Sequence, residues 1–246
     1  RVLGSHLYYL KRVLLWSAET QQPLLTAESS RKTEMVHAQL QRESARKTLS
    51  HEEFLQTLQL RVSLSVLRDT KDLHVSRALE LFNKTNQFNT TGERYTLEQF
   101  HQHFAAGHEL HVVQAEDRFT QYGLIGAAWV QENCIAHVVM SCRALGLGIE
   151  DTLLACIGDR LARHNAVMHG QLRTTDANMA SLPFYSRNGF TQLPNKPVLW
   201  SRSLAVPLVV PKHVALTVTG VGEVSISDLG LQPIGQAVQF TGGVGG

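Results

Sequence analysis

The amino-acid sequence predicts an α/β (α+β) fold in which strands and helices alternate, preceded by a short helical segment. Three observations predict it. From Leu58 onward, stretches of alternating polar and apolar residues interchange with stretches of helical spacing. A long apolar strand beginning at Cys134 runs into a glycine-bearing turn that opens an amphipathic helix. Hydrophobic residues make up 43% of the 246, enough to build a core.

At the start, Leu7, Leu10, Val13 and Leu14 recur at helical spacing, and Thr26 is placed to cap a second helix over 28–47. That segment is polar on most of its circumference and keeps one thin apolar stripe through Met35 and Leu40. Ser50 is placed to cap a third helix, Glu52 to Leu58. Together these bury too little to stand as an independent domain.

Arg61 to Leu67 alternates as a half-buried strand does, and Val75, Leu79 and Phe82 mark one face of the helix that follows. The polar run Asn83 to Asn89 reads as the loop after it, and Thr96 to Phe104 as the next helix. Leu110 to Ala115 and Gly123 to Val130 are apolar strands joined by a turn at Asp117 and Arg118. Cys134 to Cys142 is apolar on both faces and therefore central. The helix after it carries Ile149, Leu153, Ile157 and Leu161 on one side, with Glu150 and Asp151 in its first turn and Arg160, Arg163 and His164 in its last, the arrangement that complements the helix dipole. Strand Val167 to Leu172, helix Ala180 to Arg187 and strand Val198 to Ser203 complete the order β-α-α-β-β-β-α-β-α-β. After Pro207 the tail is rich in Val, Gly and Thr, and its pattern leaves short strands and irregular structure both open.

Composition narrows the function classes. The net charge is +2 and the basic residues are spread along the chain, so no nucleic-acid footprint is expected. No apolar run reaches the roughly 18 residues of a membrane span, so no membrane partner is expected either. Cys134, Cys142 and Cys156 are three in number and lack framework spacing, which fits a reducing, cytoplasmic location. The chain opens Arg1-Val2-Leu3-Gly4 without Met, and is expected to begin inside a longer reading frame.

The stretch from Cys134 to Arg163 carries the chemistry. In the turn Arg143-Ala144-Leu145-Gly146-Leu147-Gly148, glycine removes side chains and lets backbone N–H groups face a ligand oxygen. The helix that follows adds unsatisfied N–H groups and a partial positive charge, and Arg143 adds a formal one. The alternative is that two glycines simply turn a strand into a helix. Arg-x-x-Gly-x-Gly in this context resembles the acyl-CoA pyrophosphate loop of GNAT acyltransferases. Asn178, followed by Phe184-Tyr185-Ser186-Arg187-Asn188-Gly189-Phe190, resembles the later motif of the same superfamily. The resemblance implies a mixed, mostly antiparallel sheet flanked by helices, and a coenzyme site formed by Met140, Arg143, Ala144, Gly146, Leu147, Gly148, Ile149 and Asn178.

A narrower resemblance follows from Asn83-Lys84-Thr85-Asn86-Gln87-Phe88-Asn89, Arg94-Tyr95-Thr96, Tyr122-Gly123-Leu124-Ile125-Gly126 and Met140-Ser141-Cys142-Arg143. These strings are similar to the C-terminal part of FkbH-like proteins, in which a phosphatase-like domain of the haloacid dehalogenase superfamily precedes a GNAT-like domain. That family is associated with loading a glyceryl unit onto an acyl carrier protein in polyketide-type pathways. The resemblance implies acetyl-CoA, CoA or a phosphopantetheine thioester as cofactor and an acyl carrier protein as partner. It divides the chain into a helical remnant at 1–57, a GNAT-like domain at 58–205 and a tail at 206–246. Two departures stand out. No Asp-x-Asp occurs in the chain, so phosphatase activity is not expected, and Leu147 stands where the family loop tends to carry a basic side chain.

Two residues are candidates for catalysis. Tyr185 stands where many GNAT enzymes place a general acid, and otherwise packs in the core with its hydroxyl bonded to backbone. Cys142, beside Arg143 and a helix N-terminus, could accept an acyl group as a thiolate, and otherwise is a small buried hydrophobe. Asn83, Lys84, Asn86 and Gln87 are candidates for binding a polar substrate arm, or for capping and turn chemistry. His137, on a strand face with Ile135 and Val139, reads as a hydrogen-bonded core histidine, with a general base as the alternative, and His164 and His169 lack partners of ligand spacing, so no metal is expected. The leading function is an acyl or glyceryl transferase-like domain. A conventional acetyl-CoA-dependent N-acyltransferase and a non-catalytic carrier-docking module or gene fragment are the alternatives.

Overall fold

The computed structural model describes residues 49–219, and the described residues from Leu55 onward belong to one compact unit. The helices expected over 7–14 and 28–47, and the tail beyond 219, lie outside the described residues. In chain order the elements are α1 (His51–Thr57), β1 (Leu60–Leu67), α2 (His74–Lys84), α3 (Leu97–Ala105), β2 (Glu109–Glu116), β3 (Gln121–Gln131), β4 (Cys134–Met140), α4 (Ile149–Ala162), β5 (Val167–Gln171), α5 (Phe184–Arg187), β6 (Thr191–Leu193), β7 (Lys196–Ser203) and β8 (Val214–Thr219). The strands form one sheet in the order β6-β7-β5-β4-β3-β2-β1-β8. Its pairs are antiparallel except β4–β5 and β1–β8. This is the expected mixed, mostly antiparallel sheet with flanking helices.

Local sequence accounts for the elements. Ser50 and Glu53 exchange side-chain and backbone bonds across the first turn of α1, a reciprocal capping box. Thr96 and Gln99 do the same for α3. On α2, Val75, Ala78, Leu81 and Phe82 turn inward at helical spacing. They meet Phe100 of α3 and Leu110, Ala127, Trp129 and Val139 of the sheet in one core cluster. Phe82, Phe100 and Trp129 are fully buried, each contributing roughly 1.5–3 kcal/mol by apolar burial. From Leu124 to Val130 of β3 and from Ile135 to Met140 of β4 every residue is buried, as the apolar runs predict for central strands.

Helix α4 is buried on nearly its whole circumference, Thr152, Leu154, Ala155 and Gly158 included. Both the sheet, through Met168, and the segment crossing it after β7, through Leu204 and Leu208, pack against it at Gly158. Leu208 lies 3.1 Å from where a Gly158 Cβ would stand, and Pro211 lies 3.0 Å from that of Gly148. Glycine at these two positions is what lets the crossing segment approach. The segment then delivers β8 alongside β1 in parallel register, from Leu60↔Val214 to Ser65↔Thr219.

The structure corrects several sequence boundaries. The central strand ends at Met140, and Cys142–Ala144 form a single 3₁₀ turn instead of its last residues. The helix expected from Ala180 to Arg187 is broken into a 3₁₀ turn at Met179–Ser181 and α5, with Pro183 between them removing a backbone donor. Asn83 and Lys84 belong to the last turn of α2, so the polar loop is shorter than its sequence suggests.

Candidate functional site

The turn between β4 and α4 has the geometry its glycines predict. Gly146 and Gly148 take φ of +78° and +76°, a region costly to side chains with a Cβ. A Cβ at Gly146 would meet nothing within 4 Å, so this side of the loop opens to solvent. Arg143 and Cys142 are exposed on it, whereas Ala144, Leu147 and Ile149 are buried beneath. The expectation that Cys142 is a buried hydrophobe is therefore corrected, because the strand stops two residues before it. Thr152 N–H is bonded to the Gly148 carbonyl, and helix geometry leaves the N–H groups ahead of it without intrahelical partners.

Charge at this helix start is balanced from elsewhere in the sequence. Glu150 and Asp151 put two carboxylates into the first turn. Arg187 Nη2 bridges them at 2.9 and 2.8 Å, and Asn188 donates to Asp151 Oδ1 at 2.9 Å. The crossing segment adds His213, whose Nε2 donates to the Leu147 carbonyl at 2.8 Å, next to an exposed Lys212. Basic groups thus border the loop although Leu147 itself is apolar.

Beside the loop, β4 and β5 pair at Cys134↔His169 and Ile135↔Gly170 and then diverge. Into the wedge runs Phe88-Asn89-Thr90, which pairs with β4 as an antiparallel bridge, Asn89↔Val139. Thr90 N–H donates to the Val138 carbonyl and Met140 N–H to the Phe88 carbonyl, both at 3.0 Å. On the other side Arg173 N–H donates to the Thr90 carbonyl at 2.7 Å. Met140, expected among the coenzyme-binding residues, therefore spends its N–H inside the protein.

Asn178 explains how the insert is held. Its Nδ2 donates to the carbonyls of Asn89 and Arg173 at 2.8 and 2.9 Å, and its Oδ1 accepts from Thr175 N–H at 2.8 Å. Fully buried and fully committed to backbone, this side chain clamps the wedge. Asn89 Oδ1 accepts from the N–H groups of Thr91 and Gly92 and lies 2.6 Å from His137 Nε2. An oxygen already accepting twice requires that Nε2 carry the proton. His137 Nδ1 then faces the Tyr95 hydroxyl at 3.1 Å as an acceptor, sharing that hydroxyl's one proton with Glu93 Oε2 at 3.3 Å. Burial, with Arg94 and His103 adding to it, pushes the His137 pKa down to about 3, so the ring is neutral. The core-histidine reading describes its surroundings.

Tyr185 is fully buried at the closed end of the wedge. A Cβ on Gly170 would stand 2.3 Å from its Cζ, and its ring packs among Phe184, Phe190 and Trp200. Its hydroxyl has no hydrogen-bond partner among the described residues, and burial, with a nearby Cys134, raises its pKa well above the ordinary value. The Asn83 side chain exchanges two bonds with the Tyr95 backbone, Lys84 pairs with Glu80, and Asn86 accepts from Arg94. Gln87 is exposed. The loop and the exposed Cys142 are thus together, while Tyr185 and Asn178 lie in the interior. The insert, the Arg187 bridge and the crossing segment escaped the sequence reading, since each joins residues dozens of positions apart.

Among the described residues no group of three or more His, Cys, Asp or Glu is placed to hold a metal ion, and no helix is long and apolar enough to cross a membrane. No family model and no curated protein matches the chain. Among solved structures it is similar to a putative acetyltransferase from Salmonella typhimurium solved with its cofactor acetyl-CoA, at 15% identity and a TM-score of 0.40, covering 61% of this chain and 98% of that one. It is likewise similar to a putative acetyltransferase from Acinetobacter baylyi, at 18% identity and a TM-score of 0.40, over 62% of this chain and 98% of that one. A ribosomal-protein-alanine N-acetyltransferase from Brucella melitensis matches at 18% identity and a TM-score of 0.39, over 56% of this chain and 98% of that one.

Proposed function

We propose that this domain binds the phosphate-bearing end of coenzyme A, or of a phosphopantetheine arm, at the Arg143–Gly148 loop, and serves in acyl transfer. The observation that supports it is the loop itself: two left-handed glycines, an open face at Gly146, an exposed Arg143 and the start of a 14-residue helix. The donor set fits a pyrophosphate. Backbone N–H groups and Arg143 would hold it, and the bridging Arg187 offsets the two carboxylates that would otherwise repel it. The coenzyme, when bound, supplies a thioester whose carbonyl carbon is activated toward an acceptor. The carrier arm, an acyl carrier protein as partner, and a glyceryl or polyketide-type acyl group belong to the same proposal and rest on the FkbH-like strings.

Calorimetric titration with CoA tests the site. Gly146→Asp places a negative charge on the open face of the loop and is expected to weaken binding by at least tenfold, about 1.4 kcal/mol. Equal affinity for both proteins would remove the loop from consideration.

One observation favours a second reading, the non-catalytic docking module. The Tyr185 hydroxyl is fully buried against Gly170, Phe190 and Trp200, where a general acid is out of reach of a thioester. With a labelled thioester donor, Tyr185→Phe is expected to leave any turnover unchanged. A fall of the roughly 10²–10⁴ typical of a lost acid would restore Tyr185 as that acid. Loss of transfer in Cys142→Ala, with an acyl adduct on its peptide in the parent protein, would place the chemistry at the exposed thiol.

A further inference from the structure

We infer that Phe88–Thr90 is a built-in occupant of the β4–β5 wedge, a self-inserted strand that takes the hydrogen bonds an amide-bearing ligand arm would need, so that an arm held at the loop stops at the mouth of the wedge. The identity of the arm rests on the coenzyme reading above; the occupancy of the wedge does not.

Two parallel strands that diverge leave facing rows of unpaired N–H and C=O groups, and an extended chain with amides of its own is the natural filling. Pantetheine is such a chain, carrying two secondary amides along a thin arm. In this protein the filling is already present. The Val138 carbonyl, Met140 N–H and Arg173 N–H are the groups an arm would use, and Thr90 and Phe88 use all three.

The insert is tied by more than its backbone. Thr90 Oγ1 accepts from Val138 N–H at 2.9 Å, and the Asn89 carbonyl accepts from Asn178 Nδ2 and, at 3.3 Å, from Ser181 Oγ. Asn89 Oδ1 accepts from His137, and Phe88 packs edge-on against Phe184 with ring centroids 5.2 Å apart. Phe88, Asn89 and Thr90 are each no more than 1% exposed. An arm that displaced them could replace the three backbone bonds but not those from His137 Nε2 and Asn178 Nδ2, each of which would be left with a buried N–H unpaired, while Ser181 Oγ keeps its bond to the Asn178 carbonyl at 2.9 Å. The insert is therefore part of the folded core and does not swing aside. In the geometry that results, Tyr185 lies at the closed end, against the Gly170 that pairs with Ile135, while Cys142 and Gln87 are exposed next to the open end. The reactive end of a ligand held at the loop stays with the second pair.

Residue-resolved amide exchange by NMR, on the whole chain with and without CoA, tests this. Thr90 and Met140 amides are expected to exchange slowly in the free protein, and to stay within about twofold of those rates when CoA saturates the loop. Fast exchange in the free protein, or acceleration by CoA, would overturn the inference. If CoA fails to bind, the coenzyme reading falls, and the free-protein rates still decide whether the wedge is filled. Asn89→Ala is expected to speed both amides by ~10-fold or more and to admit pantetheine, which the parent excludes. Should that variant not fold, Thr90→Val removes just the hydroxyl acceptor. It should speed the Val138 amide while leaving Met140 protected, and equal acceleration of both would also overturn the assignment.

Discussion

The two ends of β4 differ in what their polar groups are committed to. At the Met140 end the chain leaves the sheet through a loop with an open face, exposed Cys142 and Arg143, and helical N–H groups that helix geometry leaves unpaired. At the Cys134 end β5 pairs with the strand, Tyr185 lies on Gly170, and the flanking groups are buried. Between them sits Phe88–Thr90, whose bonds are all made within the protein. The contrast teaches that motif residues of one sequence pattern need not share one job. Gly146 shapes a surface that faces outward and Gly148 lets the crossing segment approach, whereas Asn178 and Tyr185 belong to the interior that supports them.

The largest effect is expected where the interior clamp is cut. Asn178→Ala strips partners from the buried Asn89 carbonyl, the part-buried Arg173 carbonyl and one N–H, and should cost ~3 kcal/mol or more in urea denaturation. A cost below about 1 kcal/mol would show that the wedge does not depend on this side chain.

The filled wedge also predicts a pH dependence. His137 has a folded pKa of about 3 against an ordinary 6.5, so the unfolded chain takes up the proton first. Its contribution is complete above 6.5 and is lost progressively as pH falls toward 3, by about 2 kcal/mol between pH 6.5 and 5. Folding free energy measured across that interval should fall less in His137→Gln, which keeps a donor for Asn89 without a titrating ring. An identical pH slope in both proteins would contradict the neutral, buried imidazole.

Two glycines compare the ends directly. Gly170→Ala drives a methyl into the Tyr185 ring and should destabilise by about 2 kcal/mol through overpacking. Gly146→Ala meets open space and should cost about 1 kcal/mol, from its left-handed backbone alone. Thermal melting of both variants checks the ranking, and the reverse order would exchange the open and closed ends.

Much of this architecture was legible in the sequence. The switch of periodicity at Leu58, the doubly apolar run from Ile135 to Met140 and the Arg143–Gly148 turn each act within a few residues, and local patterns report local structure. β6 and β8 were not legible. β6 is three residues long, and β8 owes its strand to the free edge of β1, a partner about 150 positions earlier. The site divides along the same line. Glycines and Arg143 announce a loop, but nothing near Asn89 signals that its carbonyl meets Asn178, and nothing near Arg187 signals Glu150. Cys142 was misplaced because an apolar run does not reveal that Met140 is the last strand residue.

The most direct test of the open-loop, filled-wedge account is a titration of the isotope-labelled chain with CoA, read at every backbone amide. Shifts are predicted at Gly146, Gly148, Ile149, Glu150 and Asp151, with Gly170, Tyr185 and Thr90 unmoved. Shifts concentrated at Gly170 and Tyr185, with the loop silent, would contradict it.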